Sequence, residues 1–116
     1  MTVMLGDITA ADDIYLVCGY TDMRKQIDGL CAIVQDKLNM DPRRRALYMF
    51  CGRRCDRIKL LLWEETGFVL LYKRLDVSKG RFRWPRKKEE VRNLTWQEFD
   101  WLTSGLEIDQ PNAIRV

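Results

Sequence analysis

Cys51 and Cys55 sit among Arg53, Arg54 and Arg57, and this is the first place to look for chemistry, because nearby cations favour the thiolate that makes a cysteine nucleophilic. A thiolate alone is not a catalyst. The chain has no histidine, which removes the commonest general base and the usual partner of a nucleophilic serine or cysteine, and nothing in the sequence supplies an oxyanion hole. Metal chemistry fares no better. Cys18, Cys31, Cys51 and Cys55 include no CxxC pair, so zinc would need all four thiols from a poor starting spacing, and reduced cysteines filling apolar space are expected instead. Divalent-metal nucleases cluster carboxylates. Here Asp56, Glu64, Glu65 and Asp76 fall mostly at expected turns, Asp22 reads as a cap and Asp28 as an ion-pair partner of Arg24. No catalytic residue, metal or cofactor is therefore expected, and the protein is not expected to be an enzyme.

What remains is charge. Residues 43–88 hold 15 Lys/Arg against 4 Asp/Glu, residues 1–42 hold 3 against 7, and residues 89–116 hold 2 against 6, so a net charge of only +3 hides a basic centre between acidic ends. A concentration of cations like this is the footprint of a surface that meets a polyanion, most commonly nucleic acid. With 116 residues the chain suits one domain with one core. No apolar run approaches the roughly 18 residues needed to span a bilayer, and the acidic, polar start does not resemble a signal peptide; no membrane contact and a cytoplasmic location are expected.

The elements that would carry these cations follow from periodicity. Ile14–Cys18 is a short β-branched run closed by Gly19 and reads as a strand. From Met23 to Leu38, apolar residues recur at steps of three and four, which predicts one helix of about 16 residues. Gly29 within it suggests close packing on a sheet. Ala46–Cys51, Ile58–Trp63 and Phe68–Leu75 read as strands joined by connections short enough only for antiparallel neighbours. Arg81–Trp84 is a further short strand candidate, and residues 86–92 read as a charged, solvated connector. Thr95-Trp96-Gln97-Glu98 matches a capping box, and Phe99, Leu102 and Leu106 continue an apolar stripe that Gly105 would end.

Strand alternation sorts the side chains. Ile58, Leu60 and Leu62 share one face and Lys59, Leu61 and Trp63 the other, while Arg81 and Arg83 oppose Phe82 and Trp84. The expectation is that one face buries aliphatics against the long helix and the other presents cations and aromatics. The architecture expected is α+β: residues 1–13 as an N-terminal extension, 14–106 as a single domain, and 107–116 as a tail. Within the domain, an antiparallel meander of four to five strands packs on one long helix, with a second helix near the C-terminus.

In this order of elements, Gly19-Tyr20-Thr21-Asp22-Met23-Arg24-Lys25, Gly52-Arg53-Arg54-Cys55-Asp56-Arg57-Ile58-Lys59, Lys73-Arg74-Leu75 and Gly80-Arg81-Phe82-Arg83-Trp84-Pro85 resemble the accessory protein TnpB, the second open reading frame of IS66-type insertion sequences. The resemblance runs from about Ile14 to Gly105. It implies a small protein encoded beside a separate transposase, assisting transposition, with no established catalytic residues to carry over. Cys55 stands where the family usually shows glycine, which argues against a tight left-handed turn there, and Glu64-Glu65 replaces a more turn-like acidic-glycine pair.

The reading that results is an accessory transposition factor whose basic centre binds DNA, with the ends of the element as the expected DNA. The hairpin residues Arg53, Arg54 and Arg57 are the sharpest candidates, because a short connection lets them reach phosphates or guanine edges without burying charge. Lys59, Lys73, Arg74, Arg81 and Arg83 are expected to join them, and Arg43, Arg44 and Arg45 to extend the same surface. The alternative is a protein adaptor that self-associates as a homo-oligomer or recruits the transposase or another element-encoded protein. Trp96, Phe99 and Trp101 lie within six residues, and one helix of a small domain does not easily bury all three.

Overall fold

A computed structural model describes residues 5–86 and 89–105 of the chain. The element order begins with β1 (Asp13–Val17), α1 (Ile27–Ala32), β2 (Ala46–Cys51) and β3 (Arg57–Trp63), followed by β4 (Phe68–Arg74), β5 (Val91–Leu94) and α2 (Trp96–Thr103). The five strands form one sheet in the order β4-β3-β2-β1-β5. The α+β class stands, but the all-antiparallel meander does not. β2, β3 and β4 form the expected pair of hairpins, whereas β1 lies parallel to β2. The physical reason is the connection: the stretch between β1 and β2 contains α1 and is long enough for a crossover that returns the chain in the same direction. The fifth strand is also not the one expected. Val91–Leu94, at the end of the charged connector, pairs antiparallel with β1, and Arg81–Trp84 is an extended segment outside the sheet.

The first helix is shorter than its apolar stripe. α1 opens at Ile27 and runs on into a wider π-type turn over Ile33–Lys37, where the Leu38 amide reaches the Ile33 carbonyl. Its start is delayed because residues 22–25 form a separate turn: Asp22 accepts the Arg24 amide at 2.9 Å and its carbonyl accepts the Lys25 amide at 3.1 Å. Asp22 therefore does not cap the helix, whose N-cap is Gln26. Arg24 pairs with Asp22 at 2.8 Å in place of the expected Asp28. Gly29 meets the Lys25 side chain, not the sheet.

Both faces of the sheet are covered. On one, Leu30 and Val34 of the helical segment pack on Val17, Ala46, Tyr48, Phe50 and Leu61, all buried. On the other, Ile14, Leu16, Leu47, Met49, Ile58, Leu60 and Leu62 are covered by Phe82, Trp84 and Leu102. The expected pairing of faces is thus reversed. The helical segment takes the Leu61 face, while the Ile58–Leu62 face is covered by the extended 81–85 segment and α2; the end of β4, from Tyr72 to Arg74, stays exposed.

The turns hold with few glycines where glycine would be easiest. Cys55 adopts φ 58° and Glu65 φ 66°, so left-handed turns form at both positions despite the side chains. Each such residue costs about 1–2 kcal/mol, and local bonds offset it at Cys55: its amide donates to the Gly52 carbonyl at 2.9 Å and its carbonyl accepts the Phe82 amide at 2.7 Å. Gly52 is required for space, since a Cβ there would lie 2.6 Å from Met23 Cγ. The capping box at α2 forms as expected, with Thr95 Oγ1 accepting the Glu98 amide and Glu98 Oε1 accepting the Thr95 amide. Gly105 turns left-handed at φ 85° just after the helix. Leu106 of the expected stripe and the tail 107–116 lie outside the described residues.

Candidate nucleic-acid interface

The chain crosses the hairpin end of the sheet in an extended run. The Phe82 amide bonds the Cys55 carbonyl, Trp84 Nε1 donates to the Val17 carbonyl at 2.9 Å, and the Pro85 carbonyl accepts the Gly19 amide at 3.0 Å. In an extended chain alternate residues face opposite ways. Burying Phe82 and Trp84 in the core therefore turns Arg81 and Arg83 outward, as the alternation predicts, although the segment is not a strand.

This places Arg81, Arg83 and Arg86 around one groove with Arg53 of the β2–β3 hairpin, and with Tyr20 and Cys55. The groove encloses about 600 Å3. Among the described residues, none of Arg53, Arg54, Arg81, Arg83 and Arg86 forms an ion pair with a carboxylate. Arg86 and Tyr20 were not among the residues singled out by sequence; the word Gly80-Arg81-Phe82-Arg83-Trp84-Pro85-Arg86 holds the signal for Arg86, a third cation at a spacing of two and three.

The other predicted cations lie elsewhere. Arg43, Arg44 and Arg45 precede β2, so the six residues of that strand separate them from the hairpin by about 20 Å at 3.3 Å per residue. They do not extend the hairpin surface. Arg43 stacks near Trp63 and Phe68, at 5.9 and 5.7 Å, and Arg44 lies 5.4 Å from the Tyr15 ring and 3.0 Å from the Asp13 carboxylate. Arg45 lies 3.8 Å from Asp12. Lys59 is only 5% exposed and donates to the Lys25 carbonyl at 2.7 Å, so it is not a surface cation. Lys73 lies on the Phe82 side of the sheet, 5.9 Å from that ring, and reaches the Thr103 carbonyl. Arg57 and Arg74 are register partners on the side of Lys59, and Arg57 lies 3.9 Å from Asp56.

Three of the four thiols are poorly placed for chemistry. Burial pushes the Cys18, Cys31 and Cys51 thiols up, Cys51 most strongly and with a further contribution from neighbouring Cys55, which is the opposite of thiolate activation. All four cysteines are free, and Cys18 and Cys51 fill core space. Among the described residues no three Cys, Asp or Glu side chains cluster as a metal site. No described helix is long and apolar enough to cross a membrane.

Residues 12–113 match the protein family described as IS66 Orf2 like protein. Two proteins of Sinorhizobium fredii (strain NBRC 101917 / NGR234) are similar. The uncharacterized protein y4jC is 33% identical over 86 residues, 74% of this chain and 72% of that protein, and the uncharacterized protein y4hO is 31% identical over 98 residues, 84% of each. No solved structure matches significantly. The family match spans the groove, both helices and all five strands, and the chain belongs to the IS66 Orf2-like family.

Proposed function

We propose that this protein is a non-catalytic accessory factor in transposition that contacts DNA through the groove of Arg53, Arg81, Arg83 and Arg86. Membership of the IS66 Orf2-like family implies involvement in IS66 transposition. The observation that carries the DNA reading is the convergence, from two chain segments, of four guanidinium groups on one groove without a carboxylate partner among the described residues. Such cations sit in water until a polyanion arrives, and binding then releases the counterions condensed on it. Tyr20, exposed at the groove wall, offers a ring for sugar or base contact.

Duplex carrying the element's ends is the DNA to test, against an unrelated duplex of equal length. Affinity should fall with salt at a log–log slope of about −0.9 per phosphate contact, and Arg53→Ala, Arg81→Ala and Arg83→Ala together should flatten that slope by about two to three units. An unchanged slope rejects the groove.

A second reading, a protein adaptor, has one observation in its favour. Trp96 is 40% exposed on α2, packed edge-on against Phe99 at 5.2 Å. If Trp96→Ala abolishes pull-down of the co-encoded transposase while DNA affinity stays unchanged, that reading prevails.

A further inference from the structure

On the opposite side of the sheet from the arginine groove, the start of α1 and strands β3 and β4 enclose a cleft of about 920 Å3 that includes Met23, Ile27, Asp28, Arg57, Lys59 and Tyr72. Its charge is only partly satisfied from within the protein: Arg57 has Asp56 at 3.9 Å, and Lys59 has no carboxylate among the described residues. The β3–β4 register sets Arg57 directly opposite Arg74 and Lys59 opposite Tyr72. Like charges in direct cross-strand positions are destabilising. The nearby carboxylate of Asp56 is 3.9 Å from Arg57 Nε, too far for a hydrogen bond, and that buried nitrogen has no hydrogen-bond acceptor among the described residues, although the rest of the side chain is partly exposed. A buried donor without a protein acceptor in a native fold calls for an acceptor from outside the protein, a water or an anion.

Lys59 repeats the pattern two residues on. An ammonium carries three donors. One goes to the Lys25 carbonyl at 2.7 Å, and the Tyr72 ring lies 5.8 Å away, but no carboxylate pairs with Lys59 among the described residues. A buried, uncompensated cation is costly unless an anion neutralises it. Arg57 and Lys59 point to the same side of β3, about 6.6 Å apart along the strand, close enough for one compact anion with several acceptor oxygens to bridge them.

We propose that this cleft binds a phosphorylated nucleotide, with the phosphate on Arg57 and Lys59 and the base on Tyr72. Tyr72 is 53% exposed beside the two cations, and Leu70, Ile27 and Met23 supply apolar wall. A phosphate site next to an accessible aromatic ring fits a nucleotide better than a plain inorganic anion, because base stacking uses the ring face. Asp28 is the one acid among the described residues of the cleft lining. Its carboxylate suits an exocyclic amine or a sugar hydroxyl and disfavours a ligand with a second anionic end. The cleft shares no lining residue with the arginine groove.

The test is an amide-resolved NMR titration of the full chain with deoxyadenosine monophosphate, with inorganic phosphate, and with a 5′-phosphorylated single-stranded oligonucleotide. The mononucleotide should shift the amides of Asp28, Arg57, Lys59 and Tyr72 and leave Arg81 and Arg83 unmoved. Tyr72→Ala, a change on an exposed position, should weaken mononucleotide binding by about fivefold to a hundredfold while leaving inorganic phosphate binding intact. Arg57→Gln should weaken both ligands. If the oligonucleotide shifts the same four amides, the source is a strand end; if only the mononucleotide does, the source is a free nucleotide. The proposal is overturned if about 10 mM mononucleotide, ten times a weak millimolar dissociation constant, moves none of these amides. It is also overturned if the shifts fall only on the arginine groove, if phosphate binds as tightly as the nucleotide, or if Tyr72→Ala changes nothing. Loss of duplex binding in the Arg53, Arg81 and Arg83 variant with these shifts retained would strike the groove's role alone.

Discussion

The two ends of β2 each carry arginines, and they fare differently. Arg44 and Arg45, at its start, are met by Asp13 and Asp12 of the acidic N-terminal region, and Arg43 lies against Trp63 and Phe68. Arg53, beyond the other end, is joined by Arg81, Arg83 and Arg86 and by no carboxylate among the described residues. Cations of equal formal charge thus differ in the potential they offer a ligand. Where a cation already has an anion or a ring beside it, an incoming phosphate gains less, because it competes with a partner in place.

The most forceful way to break this contrast is to remove the anchor beneath the groove. Phe82 is buried and its amide ties the segment to Cys55, so Phe82→Ala should cost about 3–5 kcal/mol in chemical denaturation and abolish duplex binding at a temperature where the fold persists. Retained affinity would mean that Arg81 and Arg83 need no fixed seat. A milder break uses the hairpin. Gly52→Ala forces Met23 to shift from a 2.6 Å approach and should destabilise by about 1–3 kcal/mol in the same measurement.

The contrast itself is sharpened by exchanging partners. Arg43→Ala, Arg44→Ala and Arg45→Ala together should change the salt slope by less than about one unit, against two to three for the groove variant. Asp12→Asn with Asp13→Asn should free Arg44 and Arg45, strengthen binding to any DNA regardless of sequence, and alter stability by no more than about 1 kcal/mol, since both pairs are exposed. Equal slopes for the two arginine triples would erase the distinction between the ends of β2.

The smallest effect is a titration. The Arg24 guanidinium bonded to Asp22 holds that carboxyl down to about 2. A depressed folded-state pKa means that the contribution is present above the ordinary carboxylate range and is lost as pH falls through about 2. Carbon-detected NMR of Asp22 should show this low midpoint, and Arg24→Ala should return it toward the ordinary value. A midpoint near 4 in the parent protein would remove the Asp22–Arg24 turn from the account of why α1 starts late.

Several features were legible from local pattern. The capping box at Thr95 and Glu98, the two hairpins of β2, β3 and β4, and the inward Phe82 and Trp84 against outward Arg81 and Arg83 all depend on residues close in sequence. β5 escaped notice because Val91–Leu94 carries little apolar alternation; it is a strand because β1 offers it an edge. The left-handed turn at Cys55 escaped because positive φ favours glycine over a residue with a side chain, while the bonds that hold it come from Gly52 and from Phe82, one of them 27 residues away.

The order of residues alone determined an α+β domain of this family, the alternation along each strand, and the gathering of cations into the central third of the chain. Which cations stand together and which are neutralised was decided only by the tertiary structure. Ion pairs such as Arg44 with Asp13, and grooves such as that of Arg53 with Arg81, form between segments about 30 residues apart. Charge acts through space over a few ångströms, whereas the sequence records only distance along the chain.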